Sequence, residues 1–461
     1  MNLSAKSLAR RTFHHIRTRL FPSVLMLAGH AASLYCVWAF LTDIWTQMFA
    51  TLFILRYTKL PINIIAVCIY WPSPIKPDPA FSRRDVTVIL PTLDPHNPDF
   101  RECVESILAN DPACLLVVTV GGALREECLI VLRKLSMESN VVISVAALPG
   151  PNKRRQIAHA MPHVTTPITI LADDHVFWPV NFLPSVLAPF EDVDVGMVAT
   201  RKHVRRTTPG EWSWPSIVNL IACCYLQRHN WELCASNALD GGVFVISGRT
   251  AAYRTEFLND ADLLQRFCHE KFFFGRLGGD GLGPDDDNFL TREAMKKGWR
   301  IRFQATKDAT IETTFGEWPK FKDQLVRWAR TTFRSNPVML RDPRFMYRYP
   351  WTCFMVYWNA LFNFAILWWV ATITCLIKSD HGHVLEVIIL IEVVKIFKIG
   401  GHFYRHPRDL WLIVFQLMFG YVHGFIKLWA LVTFWDCDWS GRNLDEVHGE
   451  AELDTTFWLV E

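Results

Sequence analysis

The chain has 461 residues, room for two or three domains, and a formal net charge of only +3. Half of it is hydrophobic (51%) and 19 residues are Trp, which argues against an ordinary soluble enzyme and for a membrane protein. Twelve Cys with no CxxC and no His/Cys metal spacing read as reduced packing residues, and no basic-aromatic repeat points to nucleic acid.

Residues 1–20 carry Lys6, Arg10, Arg11, Arg17 and Arg19 and no acid, so the N-terminus is expected to stay cytosolic. The apolar run 22–41 is long enough to span a bilayer and too long for a cleaved signal peptide. A second apolar region, 45–71, is interrupted by Arg56, Tyr57, Thr58 and Lys59 and is predicted as one tilted span. Residues 21–72 thus form an N-terminal membrane region of about two spans, which returns the chain to the cytosol. Pro72, Pro74, Pro77 and Pro79 make a linker.

Residues 73–345 read as a soluble α/β domain. Short β-branched runs at 86–90, 115–120, 141–145, 168–171 and 243–246 alternate with helical patterns, as parallel βαβ units do. The domain closes on an amphipathic helix predicted over about 318–336. Its apolar residues Trp318, Phe321, Leu325 and Trp328 recur at 3, 4, 3. Gln324, Arg327 and Trp328 then share a face, where an amide, a guanidinium and an indole suit a diphosphate and a sugar ring. The same pattern also suits a helix lying on a membrane surface. Three more apolar stretches, 351–377, 383–399 and 410–434, make a C-terminal membrane region over 346–434. The Lys398, Arg405 and Arg408 loop is expected in the cytosol. The tail 435–461 holds eight acids against Arg442 alone. Three spans leave it outside; a re-entrant segment returns it to the cytosol.

Within the α/β segment, the predicted strand 168–171 runs into Ala172 and then Asp173-Asp174-His175. Acids at the C-terminal edge of a parallel strand lie where such sheets bind ligands, and with an imidazole they can hold Mg²⁺ or Mn²⁺. A solvated turn with Asp174 as a helix cap fits the same residues. In Asp285-Asp286-Asp287, crowding raises at least one carboxyl pKa and suits it to take a proton from a sugar hydroxyl. Helix N-capping is the plainer use of such acids. Lys153-Arg154-Arg155, after Pro149-Gly150-Pro151-Asn152, puts cations at a turn before a helix, where phosphate could bind.

Taken in order, these pieces resemble one family. After the first strand comes Pro91-Thr92-Leu93-Asp94, then the basic loop, Asp173-Asp174-His175, and Ser247-Gly248 through Tyr253-Arg254. The acid triplet follows, and QxxRW (Gln324 to Trp328) precedes the apolar helices. The pattern is similar to the processive family-2 glycosyltransferases, the hyaluronan, chitin and cellulose synthases, and most closely to fungal type-2 polysaccharide synthases. The resemblance implies a cytosolic GT-A α/β domain between two sets of transmembrane helices in the plasma membrane. It implies inverting transfer from a UDP-sugar to a growing, exported glycan, with Mg²⁺ or Mn²⁺.

Residue by residue, it implies nucleoside contacts at Thr92 and Asp94 and donor contacts at Lys153 and Arg154. Asp173 and Asp174 would meet nucleotide and metal. Ser247, Gly248, Tyr253 and Arg254 would line the acceptor side. Asp287 would be the general base with Asp286 beside it, Gln324 and Arg327 the diphosphate contacts, and Trp328 the acceptor platform. The chain departs from the pattern in three places. The second strand ends Thr119-Val120-Gly121-Gly122, without the family's base-reading Asp. The D-x-D is contiguous, so either His175 takes the second acid's place, as a metal ligand, or Ala172 takes the first's. Trp439-Ser440-Gly441-Arg442 matches the family's tail segment only loosely. Two other functions suit these residues: a non-processive membrane glycosyltransferase acting on a lipid or single acceptor, and an inactive scaffold with the same fold.

Overall fold

A computed structural model describes residues 21–137, 139–361, 364–437 and 453–460. The basic N-terminal residues and the Trp439–Arg442 stretch lie outside them. The chain forms two compact units, each assembled from three stretches: Met1–Trp71, Arg206–Phe244 and Trp328–Thr433 in one, Pro72–Arg205, Val245–Arg327 and Phe434–Glu461 in the other.

The second unit is built on a ten-stranded sheet. In chain order its strands are β1 (Val86–Pro91), β2 (Cys114–Val120), β3 (Val142–Leu148), β4 (Ile168–Ala172), β5 (Val176–Phe177), β6 (Val195–Val204), β7 (Thr250–Arg254), β8 (Arg300–Gln304), β9 (Thr310–Thr313) and β10 (Trp458–Leu459). Their order in the sheet is β10-β3-β2-β1-β4-β7-β6-β9-β5, with β8 also paired to β6. β1 to β4 run parallel to one another. β1, β2 and β4 are buried on both faces, as their Val/Ile/Leu-rich runs require. Val88, Leu90, Ile143 and Ile170 pack with Phe100 and Phe182 from the covering helices in one core. β7 runs antiparallel to β4 and β6. After β1 the chain turns to β2 on one side, and β4 then pairs with β1 on the other. The β1/β4 junction is thus a switch point where parallel sheets open a crevice at their strands' C-terminal ends.

Two features depart from the predicted elements. Residues 243–246 are not a strand. Val243 and Ile246 are buried, but the N–H of Ile246 goes to Thr291 Oγ1 (3.0 Å) and that of Gly248 to Asp287 Oδ2 (2.9 Å). Side chains rather than a neighbouring strand satisfy this backbone. The strand comes later, at β7. The acidic tail, for its part, contributes β10, antiparallel to the edge strand β3. Trp458 lies under Arg125, whose guanidinium is 3.6 Å from the ring centroid, and Arg125 also donates to Asp454 O at 2.6 Å.

The first unit is helical. Among the described residues, three of its helical segments are long and apolar enough to cross a membrane: Ser23–Phe40, Ile44–Cys68 and Pro407–Leu431. Those at 22–41 and 410–434 follow the expected runs, and 45–71 becomes helices Ile44–Tyr57 and Lys59–Cys68 in one continuous stretch. The apolar run 351–377 is split between helices Pro350–Leu361 and Ala365–Lys378, and 383–399 holds the 14-residue helix Val384–Phe397. The 26-residue helix Trp214–Leu239 joins this unit, although it leaves the chain between β6 and β7. It is held there from its C-cap: Asp240 accepts from Thr352 N (2.8 Å) and Thr352 Oγ1 (2.7 Å).

Candidate active site

The crevice at the switch point is lined from β1 and β4. Thr92, just past β1, is buried and donates its hydroxyl to Asp174 Oδ2, just past β4, at 3.0 Å. Asp94 is exposed, its N–H on Thr92 Oγ1 (3.3 Å). His175 Nδ1 meets the other oxygen of Asp174 at 3.0 Å. Asp173 points to a different partner, Lys153, whose Nζ is 2.7 Å from its Oδ1.

Lys153 opens the helix Lys153–Ala160, capped by Asn152. Its Nζ bridges Asp173, Asp286 Oδ2 (3.0 Å) and the carbonyl of Gly248 (3.2 Å). Gly248 packs closely against this pair: a Cβ there would lie 3.2 Å from Lys153 Nζ and 3.3 Å from Asp286. Buried between two carboxylates, Lys153 has its pKa raised, because the attraction outweighs the desolvation that opposes it. Asp173 has its pKa lowered: burial pushes it up, and Lys153 together with His175 and Arg249 more than reverses that.

The acid triplet opens the helix Asp286–Lys296. Asp285 before it takes a left-handed conformation (φ 66°), tolerable for Asp and costly for most residues. Asp287 accepts from Gly248 N through Oδ2 and from Asn288 N through Oδ1 (2.8 Å). Burial, then the adjacent Asp286, raises its pKa to about 6, against the Gly248 N–H and Lys153, which lower it. The triplet thus contains one carboxyl poised near neutrality, as crowding predicts.

Gln324 and Arg327 lie on the helix Lys320–Leu340. Arg327 is half-buried; desolvation lowers its pKa, and the charges it faces are Asp285, Asp287, Asp173 and Asp286. One turn before it, Gln324 Oε1 is buried with no hydrogen-bond partner among the described residues. Trp328 belongs to the helical unit, where its indole stacks on Tyr225 (centroids 5.6 Å apart).

Other expected site residues are committed elsewhere. Arg154 is fully buried and points away from Lys153. Its guanidinium donates to Pro284 O (2.8 Å), Phe267 O (2.9 Å) and Glu270 (2.8 Å). It pins the loop that leads to the acids and offers no group to a donor. Tyr253 is buried within β7, and Arg254 donates to the carbonyls of Val195, Phe190 and Asp192. Neither faces an acceptor. Ser247 accepts from Arg249 N at 3.4 Å, leaving Gly248 as the part of that loop that touches the acids. The site also holds a residue the sequence did not flag. Lys202 of β6 is buried with a pKa lowered to about 7, by burial and then Arg249, with Asp287 the opposing charge. A single Lys in an apolar strand carries no motif, so only the fold locates it.

Asp173 and Asp174 supply two hard carboxylates. They fit an ion such as Mg²⁺ or Mn²⁺, which takes one or two protein carboxylates and completes its shell with phosphate and water. They do not fit a cage of protein ligands: among the described residues no three metal-ligating side chains come together. His175 therefore does not join the two acids in a three-ligand set; its Nδ1 is turned to Asp174.

A sheet of this topology, with carboxylates balanced by cations at its switch point, is that of the GT-A class of sugar transferases. One solved structure of that fold is the mannosyltransferase PcManGT from Pyrobaculum calidifontis in complex with GDP-Man and Mn²⁺. It matches 84% of this chain and 98% of its own, with a TM-score of 0.53 at 16% identity. The family model "Glycosyltransferase like family 2" matches residues 83–331. A "Type 2 glycosyltransferase" of Gibberella zeae is 35% identical over 421 residues, covering 89% of this chain and 78% of its own. The "NDP-glycosyltransferase ltbB" of Aspergillus luteorubrus is 26% identical over 82% of this chain and 92% of its own. The chain belongs to glycosyltransferase family 2.

Proposed function

We propose that the protein is a membrane-embedded, inverting glycosyltransferase that uses a nucleotide sugar, with UDP as the nucleotide, to extend a cell-surface polysaccharide. The observation that carries this reading is Asp287. Its carboxylate is held by the Gly248 N–H and the Asn288 N–H and has a pKa near 6. That is a base poised to take a proton from a sugar hydroxyl. Asp286 raises the Asp287 pKa and anchors Lys153. Lys153 and Arg327 are the cations facing these acids, placed for a diphosphate as it leaves. Gln324, with its buried oxygen, adds a polar contact beside Arg327. Thr92 and Asp94 are the nucleoside contacts in this reading, with Thr92 fixing Asp174 in place. A divalent ion held by Asp173 and Asp174 would neutralise the leaving diphosphate. Trp328 is the acceptor platform in this reading.

The domain limits that go with it are a membrane region over 21–72, a cytosolic GT-A domain over 73–345, a second membrane region over 346–434 and a tail that returns to the sheet. The pairing of β10 with β3 supports a tail on the same side of the membrane as the α/β domain, a topology that needs an even number of crossings between them. With the donor in the cytosol, the glycan would leave through the plasma membrane. Supplying purified protein with a panel of nucleotide sugars, then measuring nucleotide release and product mass, tests this reading. A ladder of glycans supports extension, a single added sugar reduces it to one-step transfer, and no nucleotide release with any donor removes the enzymatic reading.

A further inference from the structure

Between the helix Ala261–Cys268 and the acid triplet the chain doubles back in a tight hairpin. Phe272 and Leu277 exchange backbone hydrogen bonds of 3.0 and 3.1 Å, and Arg276 N donates to Phe273 O at 3.2 Å. The tip is Phe273 and Phe274, 44% and 95% exposed, with φ of 51° and 58°. Aromatic residues seldom hold this left-handed backbone, and two in a row turned to the surface form an outlier that points to a function. Lys271 and Arg276 flank the rings, both exposed, and no acid lies between Glu270 and Asp280. The stem beneath the tip is fixed. Leu282 N donates to Glu270 O (3.2 Å), and the Glu270 carboxylate takes Arg154 (2.8 Å) and Arg292. Gly281 closes the stem at φ 132°, where a Cβ would lie 1.9 Å from Cys268 O. A second contact places the tip. Phe273 packs on Phe434 (centroids 5.0 Å apart), beside Trp435, which is 55% exposed. Phe434 follows by three residues the segment Pro407–Leu431, which is long and apolar enough to cross a membrane. Aromatic rings at the end of such a segment sit at the headgroup level, and Phe273 is tied to that ring.

We propose that the hairpin 271–276 is a membrane-interface anchor of the α/β unit, with Phe273 and Phe274 entering the headgroup layer and Lys271 and Arg276 meeting the phosphates of anionic lipids. Apolar rings between cations are the composition that lies in a bilayer interface. The attraction of a cation to an anionic leaflet falls off within a Debye length, so the pair acts only where the tip reaches the surface. Closeness in sequence of Phe434 to the spanning segment favours lipid over a protein partner. The loop runs on to Asp285, so an anchored tip steadies the segment that enters the acid triplet. The anchor rests on the membrane-embedded part of the proposed function and is indifferent to which sugar is transferred.

The test is photocrosslinking of the full chain in vesicles of phosphatidylcholine with phosphatidylglycerol. A benzophenone amino acid replaces, in turn, Phe274, Met418 in the spanning segment, and Met137, which is exposed on the α/β unit. Mass spectrometry reads the adducts. Lipid adducts are expected at positions 274 and 418 and not at 137. Vesicles of phosphatidylcholine alone, or Lys271→Gln with Arg276→Gln, should lower the yield at 274 by about threefold or more and leave that at 418 unchanged. If the replacement at 274 does not fold, Arg276 carries the benzophenone and Lys271→Gln is the charge variant. Lipid at 418 with none at the hairpin would overturn the anchor and leave the membrane-embedded reading standing. A protein adduct at the hairpin would overturn it in favour of a protein partner. A hairpin yield equal to that at 137, or one that ignores both lipid charge and the Gln variants, would also overturn it. No lipid at 418 would remove the membrane-embedded reading and the anchor with it.

Discussion

Lys153 Nζ lies 3.0 Å from Asp286 Oδ2 while holding Asp173 at 2.7 Å, so one ammonium ties the acid after β4 to the acid triplet. Its charge also reaches Asp287, whose pKa it lowers. The base form of Asp287 is lost as pH falls through about 6, so turnover at saturating donor should drop on the acid side with an inflection there. In Lys153→Met the opposing cation is gone and the inflection should move to higher pH. A profile whose acid limb stays put in this variant would separate Lys153 from the base.

Divalent-ion dependence should run through two carboxylates and not through the imidazole. Asp173→Asn should abolish turnover and Asp174→Asn should weaken nucleotide binding, whereas His175→Ala should keep most of its affinity for Mn²⁺. Its main loss should be stability, of roughly 1 kcal/mol for one hydrogen bond to a buried acid. Titration of Mn²⁺ against activity for the three variants decides this. Full activity of Asp173→Asn or Asp174→Asn in EDTA would contradict it.

Arg327 and Trp328 adjoin in sequence and should fail differently. Arg327→Ala removes the cation that faces the acids and should suppress both transfer and donor hydrolysis. Trp328→Ala removes an aromatic surface and should suppress transfer while leaving slow hydrolysis, since water needs no platform. Nucleotide release against glycan yield is the readout. Parallel loss of both signals in folded Trp328→Ala that still binds donor would remove its acceptor role.

The β10 strand makes two measurable claims. A C-terminal tag should share the accessibility of a tag inserted near residue 150 in sealed vesicles, and opposite sides would break the strand pairing. Deleting residues 453–461 strips Trp458 and Val460 from the core, a loss of about 2 kcal/mol. Unfolding of the α/β unit should start several degrees lower.

Much of this was legible because local chemistry and the fold agree. The runs at 86–90, 115–120 and 168–171 are strands buried on both faces, and such strands announce themselves in Val, Ile and Leu, while 141–145 alternates, with Val142 exposed. Asp173, Asp286 and Asp287 stood out as acids at places where a strand ends or a helix begins. What hid were residues whose meaning depends on a distant partner. Arg154 reads like Lys153 in the sequence, yet successive helical residues point about 100° apart, and one meets the acids while the other meets Pro284. Residues 243–246 read as a strand because they are apolar; Thr291 and Asp287, some 40 residues on, take the nearby backbone donors instead. β10 hid in an acidic tail too short and too charged to suggest pairing.

The central claim is that Asp287 removes the acceptor proton. The most direct measurement is turnover and donor binding of Asp287→Asn, side by side with Asp286→Asn, at pH well above 6. The account predicts a fall in transfer of about 10²–10⁴-fold in Asp287→Asn with donor affinity and fold retained. Asp286→Asn should instead loosen Lys153 and weaken donor binding. Near-normal transfer by Asp287→Asn, with the large loss in Asp286→Asn, would contradict it and move the base by one residue.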